Sequence, residues 1–594
     1  MAEAASSFHV RDVHHVLIKR SYGSPIALVQ LIRRRDLEGF SHAAEILFGA
    51  MSDFVHGEQA DLKHAHAVKH SHDLEAGRLE KDLGTAVVDD GTPDSVGESE
   101  EVILARELQQ KKGFLRKLRR GEEWLDEKMG IETQGIDRIH EEDKQPPSIL
   151  NVFLLWWSMT CHVGTLPIGL LGPDPEVYGL SLGASVSAIV VATILGAACT
   201  GYCGTLGPRL GLRAISTSRY SFGFYGAKLC SLLNVIIGGG FAVVNMVVVG
   251  QILAAVSNYT MTIAVGIVII AILSYVVSIF GFKIIHTWEK YSWIMTFILM
   301  CILIGQIAPK MDASIPGVET GLGFSGSWLS FFAVCFSSAS GWCSMASDYY
   351  CNYPAKTKGW KIFFLTIFGI SIPTVFVTVI GACIGNAALA STANPELTDA
   401  YANHGLGGLL IQSYHPYRFA KFCVVLLVFS VIGNNVAVNY SSGLSLQLLG
   451  HYFHAIPRFV WSFVNALVIA VLAIAGRSHL STIVSDFVSL LGYWTVSFTF
   501  ILLIEDVWFR RKEGYNLNVW DVPSKLPWGL AAVMSLLIGY LAGGLPGMAQ
   551  VWYVGPIALK FGPYGGDVGI FLSGVFTIVT YPPLRWYERK VTGR

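Results

Sequence analysis

The chain changes character at about residue 149, where polar sequence gives way to a succession of long apolar stretches. Each stretch holds about 20 apolar residues, enough for a helix to cross a hydrocarbon core about 30 Å thick. We predict twelve membrane-spanning helices, at 150–171, 179–203, 229–256, 260–281, 291–308, 327–347, 362–388, 419–447, 457–476, 482–504, 528–547 and 565–584.

The first 148 residues are polar and contain no stretch long enough to span a membrane. From Met51 to about Glu101 they are charged and contain Gly, Pro and Ser, which predicts a largely disordered tail. Residues 102–129 place basic side chains beside apolar ones, so they form either an interfacial helix held by anionic lipid or an ordinary solvated helix. Because residues 1–50 differ in composition from the rest of the tail, the chain could start at Met1 or at Met51.

Lysine and arginine concentrate in alternate loops between the predicted spans, which by the positive-inside rule should face the cytoplasm. The polar tail lies on the same side, and an even number of spans returns the C-terminus there. We therefore predict a plasma-membrane protein with both termini cytoplasmic. The richest of these basic segments are 209–228, 356–361, 510–525 and 585–594.

Composition agrees with this interpretation, since 52% of the residues are hydrophobic and 14% are charged. Such a chain is typical of a polytopic membrane protein and not of several soluble domains. The formal net charge is zero, so no basic excess points to nucleic acid as a partner. The ten cysteines lie in or beside apolar segments without CxxC spacing, which favours small buried side chains over disulfides or metal ligands.

Two predicted spans are interrupted by glycine, proline and small polar residues. The first contains "SMTCHVGTLPIGLLGP" (158–173), with Thr160 and His162, and the sixth contains "SSASGWCSMASDYY" (337–350), with Trp342. Positions one and six are equivalent if ten spans form two repeats of five. The two halves share no convincing sequence identity, so placement alone suggests the repeat. Broken helices at matched positions predict a binding site near the bilayer midplane, because they expose backbone donors and acceptors.

Carboxamide and aromatic side chains accompany these breaks. Phe241 and Asn245 are four residues apart in the third span and project from one face, and Asn434, Asn435 and Asn439 interrupt the eighth. A ring can stack on an aromatic face while an amide pairs with its polar edge. Each amide alone could instead make an interhelical hydrogen bond worth about 0.6 kcal/mol. Their grouping around the broken spans favours a ligand site.

Ionisable residues inside the spans are few. His162 could relay protons, contact a ligand or serve helix packing. We treat Asp348, Ser441 and Glu505 as candidates for coupling or gating. The spans offer neither a nucleophile with its base nor a metal-ligand set, so we predict no enzyme, no metal and no cofactor.

Five segments resemble the purine-cytosine permeases, the fungal branch of the nucleobase-cation-symport-1 transporter family. They are, in order, "GIDRIHEED" (135–143), "TLGPRLGLRAISTSRYSFG" (205–223), "FKIIHTWEKYSW" (282–293), "GWCSMASDYYCNYP" (341–354) and "GNNVAVNYS" (433–441). The resemblance covers about residues 130–590, with several motifs at consistent spacing.

The resemblance implies an all-α, LeuT-like (APC) fold with inverted five-helix repeats in residues 149–504 and two additional helices in 505–594. It also implies proton-coupled uptake of cytosine and purines. Family site residues carry over to Asn245, Trp342, Asn434 and Asn435. The family commonly has Trp at the position of Phe241, and its NNxPN pattern is broken by Ala437 and Val438. Asn439 could substitute for the missing amide, but one residue later the side chain is rotated by about 100° on a helix.

We therefore predict a secondary transporter in the lipid bilayer that carries nucleobases by proton symport, with sodium a weaker alternative as the coupling ion. Trp342 and Phe241 would sandwich the ring, Asn245, Asn434 and Asn435 would bond its edge, and Thr160 and His162 would line the site. The alternative cargo is another flat heterocycle such as vitamin B6. A membrane sensor that binds without transporting is the alternative from another functional class.

Overall fold

The computed structural model of the protein describes residues 135–279 and 282–594, with side chains at all of them except 279, 282–290 and 451. The predicted amphipathic helix at 102–129, the tail up to residue 134 and the choice of starting methionine lie outside these residues. The last part of the predicted tail is described. There Ile136 and Ile139 are buried, and the Ile139 N–H donates to the Gly211 carbonyl over 2.9 Å.

The α-helices of the described residues are α1 (Ile149–Thr160), α2 (Leu166–Leu171), α3 (Leu182–Leu210), α4 (Ala214–Val256), α5 (Ile263–Ile279), α6 (Phe282–Ile307), α7 (Gly321–Ser340), α8 (Gly359–Gly385), α9 (Pro395–Ser413), α10 (Tyr417–Gln447), α11 (His451–Ala455), α12 (Arg458–Gly476), α13 (Leu480–Thr482), α14 (Val488–Ile504), α15 (Leu530–Ile538), α16 (Leu545–Gly547) and α17 (Gly569–Thr592). Strands β1 (Ala549–Gln550) and β2 (Tyr553–Val554) form an antiparallel hairpin. Turns of 3₁₀-helix follow α1 and α7, and π-helical segments extend α8, α13, α14 and α15.

Helices occupy all twelve predicted spans. In the described part of the chain, nine helical segments are long and apolar enough to cross a membrane, and the bent pair α1–α2 makes ten if it counts as one span. Helix α5 is shorter, and α17 is not among the nine because its last turns carry Arg585, Glu588 and Arg589. Length and composition therefore support ten spans, and the number twelve stays a prediction.

The first span is broken, as its sequence predicts. Helix α1 starts at the N-cap Ser148, whose side chain accepts from the Asn151 N–H, and it ends at Thr160. His162 is extended, and α2 begins with Pro167 in its first turn. Proline cannot donate to the carbonyl four residues earlier and its ring crowds that carbonyl, so a continuous helix through Val163 is disfavoured. The two halves meet at an angle of 52°.

The sixth span is interrupted at the matched position. Helix α7 gives way at Gly341 to 3₁₀-helical turns at Gly341–Ser344 and Ala346–Tyr349. A Cβ on Gly341 would lie 2.8 Å from the ring of Phe241 in α4, so glycine allows close contact between these two elements at the break. Both predicted interruptions therefore exist, and both face the same part of the molecule.

The helices pack into two groups. Helices α1, α2, α3, α7 and α8 contact one another, and α4, α5, α10 and α12 form a second group. Two glycines of α4 allow close packing around its middle. A Cβ at Gly238 would lie 2.9 Å from Val438 of α10, and a Cβ at Gly240 would overlap the ring of Phe487, in the π-helical segment after α13. The interrupted segments lie where the two groups meet.

Buried ion pairs join the C-terminal helices to the rest. Glu505, at the end of α14, accepts from Arg585 of α17 through two 3.0 Å hydrogen bonds and from Arg510 at 2.9 Å. Tyr581 donates to the same carboxylate over 2.8 Å. Arg219 of α4 likewise pairs with buried Asp521 in the loop before α15.

Helix α9 occupies a segment where the sequence predicted no span. It begins at Pro395, is kinked at Gly405 with a φ of +61°, and packs against α4. The Gln251 side chain of α4 accepts from the Leu406 N–H over 3.0 Å. A helix of mixed polarity and with an internal glycine lacks the long apolar run that marks a span, which is why the pattern missed it.

Candidate functional site

Helix α10 replaces the hydrogen bond that the broken first span loses. In a continuous helix the Val163 N–H would donate to the Met159 carbonyl, four residues earlier. Instead Val163 donates to the Ser430 hydroxyl over 3.2 Å, and the Met159 carbonyl accepts from the Asn434 amide over 2.8 Å. Ser430 and Asn434 are four residues apart on one face of α10. Both backbone groups that lose their helical partner at the break therefore have a hydrogen-bond partner on α10.

Three carboxamides connect α10 to α4. The Asn245 amide nitrogen donates to the Oδ1 atoms of Asn434, over 2.8 Å, and of Asn435, over 3.0 Å. Asn435 in turn donates to the Ser274 hydroxyl of α5 over 3.4 Å. All three asparagines are buried. Paired amides satisfy one another in surroundings where an unpaired polar group would cost several kcal/mol.

Polar side chains also order the break itself. The Thr160 hydroxyl donates to the Trp156 carbonyl over 2.8 Å, and the Thr165 hydroxyl donates to the Thr160 carbonyl over 3.4 Å. Nε2 of His162 lies 3.2 Å from the same Thr165 hydroxyl. His162 is buried, and its Nδ1 has no hydrogen-bond partner within the described residues.

A cavity lies between the two helix groups at this level. Its volume is about 40 Å³, enough for about three water molecules. Six of the predicted substrate-site residues line it: Thr160, His162, Phe241, Asn245, Trp342 and Asn434. The structure therefore brings the broken first span, the interrupted sixth span and the amides of α4 and α10 to one place.

The two predicted aromatic residues lie on different walls of the cavity. Phe241 of α4 packs against the backbone of Gly341. Trp342, which follows Gly341, makes an edge contact with Trp156 of α1, with ring centroids 5.8 Å apart. The cavity is thus lined by an aromatic side chain from each of the two helix groups.

The remaining predicted residues lie outside the cavity. Asn435 accepts from the Asn245 amide, whereas Asn439 accepts from Asn465 of α12 over 2.8 Å. Asp348 accepts from the Ala214 N–H at the start of α4, over 2.9 Å, and from the Ser441 hydroxyl, over 3.4 Å. Glu505 belongs to the ion pairs with α17.

Some lining residues lie outside the segments that the sequence prediction marked for the site. Among them are Thr374, Val484 and Val488. Thr374 follows Pro373 inside α8, and a proline in a long apolar helix is a signal that could have marked it. Val484 and Val488 carry no such signal, because a valine facing a cavity and a valine facing lipid look alike in sequence.

Most of the membrane domain matches one family of proteins. A family profile described as permease for cytosine/purines, uracil, thiamine and allantoin matches residues 139–578, most of the chain. The protein belongs to this permease family. The match starts just before α1 and includes the cavity and both helix breaks.

Two relatives of this permease come from fungi. The vitamin B6 transporter TPN1 of Saccharomyces cerevisiae is 36% identical over 539 residues, covering 81% of this chain and 92% of the relative. The purine-cytosine permease fcyB of Emericella nidulans is 34% identical over 468 residues, covering 78% of this chain and 90% of the relative. These relatives are transporters, so the prediction of a transporter instead of an enzyme is confirmed.

A solved structure supports the fold of the permease. Mhp1, a nucleobase-cation-symport-1 family transporter solved in a closed conformation with bromovinylhydantoin bound, superimposes with a TM-score of 0.60. The match covers 77% of this chain and 96% of Mhp1 at 11% identity. A Na⁺-coupled sialic acid symporter matches with a TM-score of 0.50 at 12% identity. The predicted all-α, LeuT-like fold and the resemblance to the fungal nucleobase-cation symporters are confirmed.

Proposed function

We propose that this permease is a proton-coupled symporter that carries a small flat nitrogen heterocycle across the plasma membrane by alternating access. The observation that carries the proposal is the cavity between the two helix groups, where aromatic walls and buried carboxamides meet two interrupted helices. Transporters with broken helices bind substrate at such a midplane site and move one helix group against the other.

The size of the cavity fits this mechanism. About 40 Å³ holds a few waters but is too small for a heterocycle, so entry requires α1, α2 and α7 to move away from α4 and α10. The contacts between the groups are suited to such motion. They include two hydrogen bonds, from the Val163 N–H to the Ser430 hydroxyl and from the Asn434 amide to the Met159 carbonyl, that join the two groups at the break.

A nucleobase such as cytosine or a purine is the first candidate cargo. The family description and the fcyB relative both name such bases, and the paired amides suit a ring edge with donors and acceptors.

Vitamin B6 is the second candidate cargo. The similarity to TPN1 supports it, together with Phe241, Ala437 and Val438, which depart from the nucleobase pattern.

The helix break supports a proton over sodium as the coupling ion. Sodium sites in transporters of this type use unwound backbone carbonyls. In this protein the Met159 carbonyl accepts from the Asn434 amide and the Thr160 carbonyl from the Thr165 hydroxyl. Both carbonyls are therefore already hydrogen-bonded to side-chain donors, which favours a proton over sodium as the coupling ion.

The distribution of basic loops supports the proposed orientation, with both termini in the cytoplasm. Arg219, Arg510 and Arg585 lie on that side in buried ion pairs, and Arg209 pairs with Asp506 over 2.8 Å. These contacts fix the cytoplasmic ends of α3, α4, α14 and α17 relative to one another.

Uptake by cells expressing the full chain tests the proposal. Radiolabelled cytosine, adenine, uracil and pyridoxine are supplied at two external pH values, with and without a protonophore. We expect one of these compounds to accumulate, more at the lower pH, and a protonophore to abolish accumulation. Asn434→Ala should abolish uptake while surface expression persists. Binding without accumulation would instead indicate a sensor, and sodium dependence without pH dependence would overturn proton coupling.

A further inference from the structure

Buried acidic side chains are few in this protein, and most of them are paired with arginine. In the described part of the chain they are Asp348, Glu505, Asp521, Asp567 and Glu588. Glu505 pairs with two arginines, Asp521 pairs with Arg219, and Glu588 lies 3.6 Å from Arg585. A nearby guanidinium favours the charged form of a carboxyl, so these three are poorly suited to binding a proton. Asp348 is bonded to the start of α4, on the cytoplasmic side.

Asp567, just before α17, is buried without such a cation. It is 1% exposed, and within the described residues no Lys, Arg or His forms an ion pair with it. Its N–H donates over 3.0 Å to the hydroxyl of Ser330, which lies midway along α7. The carboxyl is therefore in the membrane-embedded part of the fold, where an ionisable side chain is a candidate for a functional role.

Two opposing effects act on the Asp567 carboxyl. Its oxygens accept from the Tyr493 hydroxyl, from the Gln550 amide over 2.8 Å and from the Gly569 N–H over 3.0 Å. These neighbours all donate, which suits an ionised carboxylate, because that group can only accept. Burial without a cation favours the neutral form instead. The balance makes this carboxyl suited to gaining and losing a proton.

Other titratable groups near Asp567 are few. Tyr493 faces it from α14, and the phenol of Tyr178, in the loop before α3, interacts with it electrostatically. Asp486, in the π-helical segment before α14, interacts with the same Tyr178 phenol and is only partly buried. The contacts from α7, β1 and α17 are neutral. Phenols are uncharged near neutral pH, so Asp567 and Asp486 are the two groups here whose charge a moderate change in pH can alter.

The contacts of Asp567 lead to the cavity through α14. This helix begins at Val488, which lines the cavity, and Tyr493 follows in the same helix. A protonated carboxyl has a hydrogen to donate, and the Tyr493 oxygen is the neighbour that can accept it. Tyr493 must then withdraw its own hydrogen from the carboxyl. Proton binding therefore changes the contact that holds α14 on the side away from the cavity.

We propose that Asp567 binds the coupling proton and that its protonation alters the contact with Tyr493 that positions α14. This inference rests on the proposed function and names the residue that carries the coupling ion. In the proposed orientation α17 begins on the extracellular side, so Asp567 receives its proton from outside, together with the cargo. The β-hairpin, where Val551 is 83% exposed, lies between the carboxyl and the outer solution.

Proteoliposomes containing the full chain test the proposal with the labelled compound that cells accumulate. Asp567→Asn keeps the shape and an acceptor for the Gly569 N–H, but it cannot change its charge. We expect this variant to exchange labelled for unlabelled cargo, yet to lose accumulation driven by an imposed proton gradient, so that the internal and external concentrations become equal. Asp486→Asn is the matched control, because Asp486 is an acid nearby that makes no bond to Tyr493, and it should accumulate cargo as the wild type does.

A second variant tests the role of Tyr493 without removing the carboxyl. Tyr493→Phe takes one donor from the ionised form, so Asp567 keeps its proton to a higher pH. We expect the external pH of half-maximal uptake to rise by about one unit, whereas a purely structural role would change the rate and leave that pH unchanged. Tyr540→Phe is the control. Its ring lies 6.0 Å from that of Tyr493, but its hydroxyl makes no hydrogen bond to Asp567.

The outcomes separate this inference from the proposed function. Wild-type accumulation by Asp567→Asn, loss of accumulation in Asp486→Asn alone, or an unchanged pH profile in Tyr493→Phe overturns the proton site while symport stands. If elution and thermal unfolding show that Asp567→Asn is not folded, the pH profile of Tyr493→Phe decides. If a proton gradient drives no accumulation by the wild-type chain, the proposed proton coupling fails, and the site fails with it.

Discussion

The side-chain amide of Asn434 donates to the main-chain carbonyl of Met159 over 2.8 Å, at the point where the first span stops being helical. A side chain of α10 thus takes the place of a backbone N–H of α1. The same asparagine lines the cavity. One residue therefore holds the break open and forms part of the site that the break creates.

This double role predicts that Asn434 cannot be replaced by its closest isostere. Asn434→Asp keeps the shape but lacks the donor, and its oxygen would face the Met159 carbonyl. We expect Asn434→Asp to lose uptake as completely as Asn434→Ala, at wild-type surface expression. Asn439→Ala is the matched control, since Asn439 pairs with Asn465 away from the cavity. It should leave the half-saturation concentration within about twofold, because it removes no contact to the site.

Glycine at position 164 should be essential for transport. A Cβ there would overlap the Asn245 amide oxygen, and moving that oxygen would disturb the hydrogen bonds to Asn434 and Asn435. We expect Gly164→Ala to reduce the uptake rate at least about tenfold, as measured with the labelled cargo. The same change at Gly183 of α3, where a Cβ would meet nothing within 4 Å, should leave uptake unchanged. If Gly164→Ala takes up the cargo at the wild-type rate, the position of the Asn245 amide oxygen is not important for transport.

The aromatic wall at Trp342 should contribute binding by stacking. Trp342→Ala should raise the half-saturation concentration about tenfold, and Trp342→Phe by less, because phenylalanine keeps an aromatic face. Trp508 lies away from the cavity and is 68% exposed, so Trp508→Ala is a suitable control. Kinetics of uptake distinguish the three variants. If Trp342→Ala and Trp508→Ala behave alike, Trp342 does not contact the cargo.

The buried ion pairs of Glu505 should serve stability and not substrate binding. Glu505→Gln would replace the carboxylate shared by Arg585 and Arg510 with a neutral amide and leave Glu588, 3.6 Å from Arg585, as the remaining carboxylate partner of that residue. Removing one partner of a buried ion pair costs about 3 kcal/mol. We expect the thermal unfolding midpoint in detergent to fall by several degrees. The exposed ion pair of Glu513 with Arg589, at 2.7 Å, provides the control, because Glu513→Gln should change the midpoint little. Cargo affinity should stay at the wild-type value in both variants.

Sequence predicted the helices and their interruptions because both depend on local chemistry. Apolar runs mark spans wherever they occur, and Pro167 cannot donate to the Val163 carbonyl, which disfavours a continuous helix there. Helix α9 was missed because its pattern is mixed and its position depends on packing against Gln251 of α4.

The site was predictable as a set of residues but not as a network. Asn245 and Asn434 are 189 residues apart in the chain, so their contact depends on the packing of α4 against α10. The placement of Asn439 follows from helix geometry, since its side chain points at α12 and not at the cavity. The surroundings of the His162 ring depend on how the chain folds back between Thr160 and Thr165, which composition and spacing cannot specify.

The most direct test is a structure of the full chain determined with the accumulated heterocycle bound. We expect the ring to lie between Phe241 and Trp342, with its polar edge towards Asn245 and Asn434. A cargo bound outside this cavity, with the cavity still about 40 Å³, would contradict the proposed site.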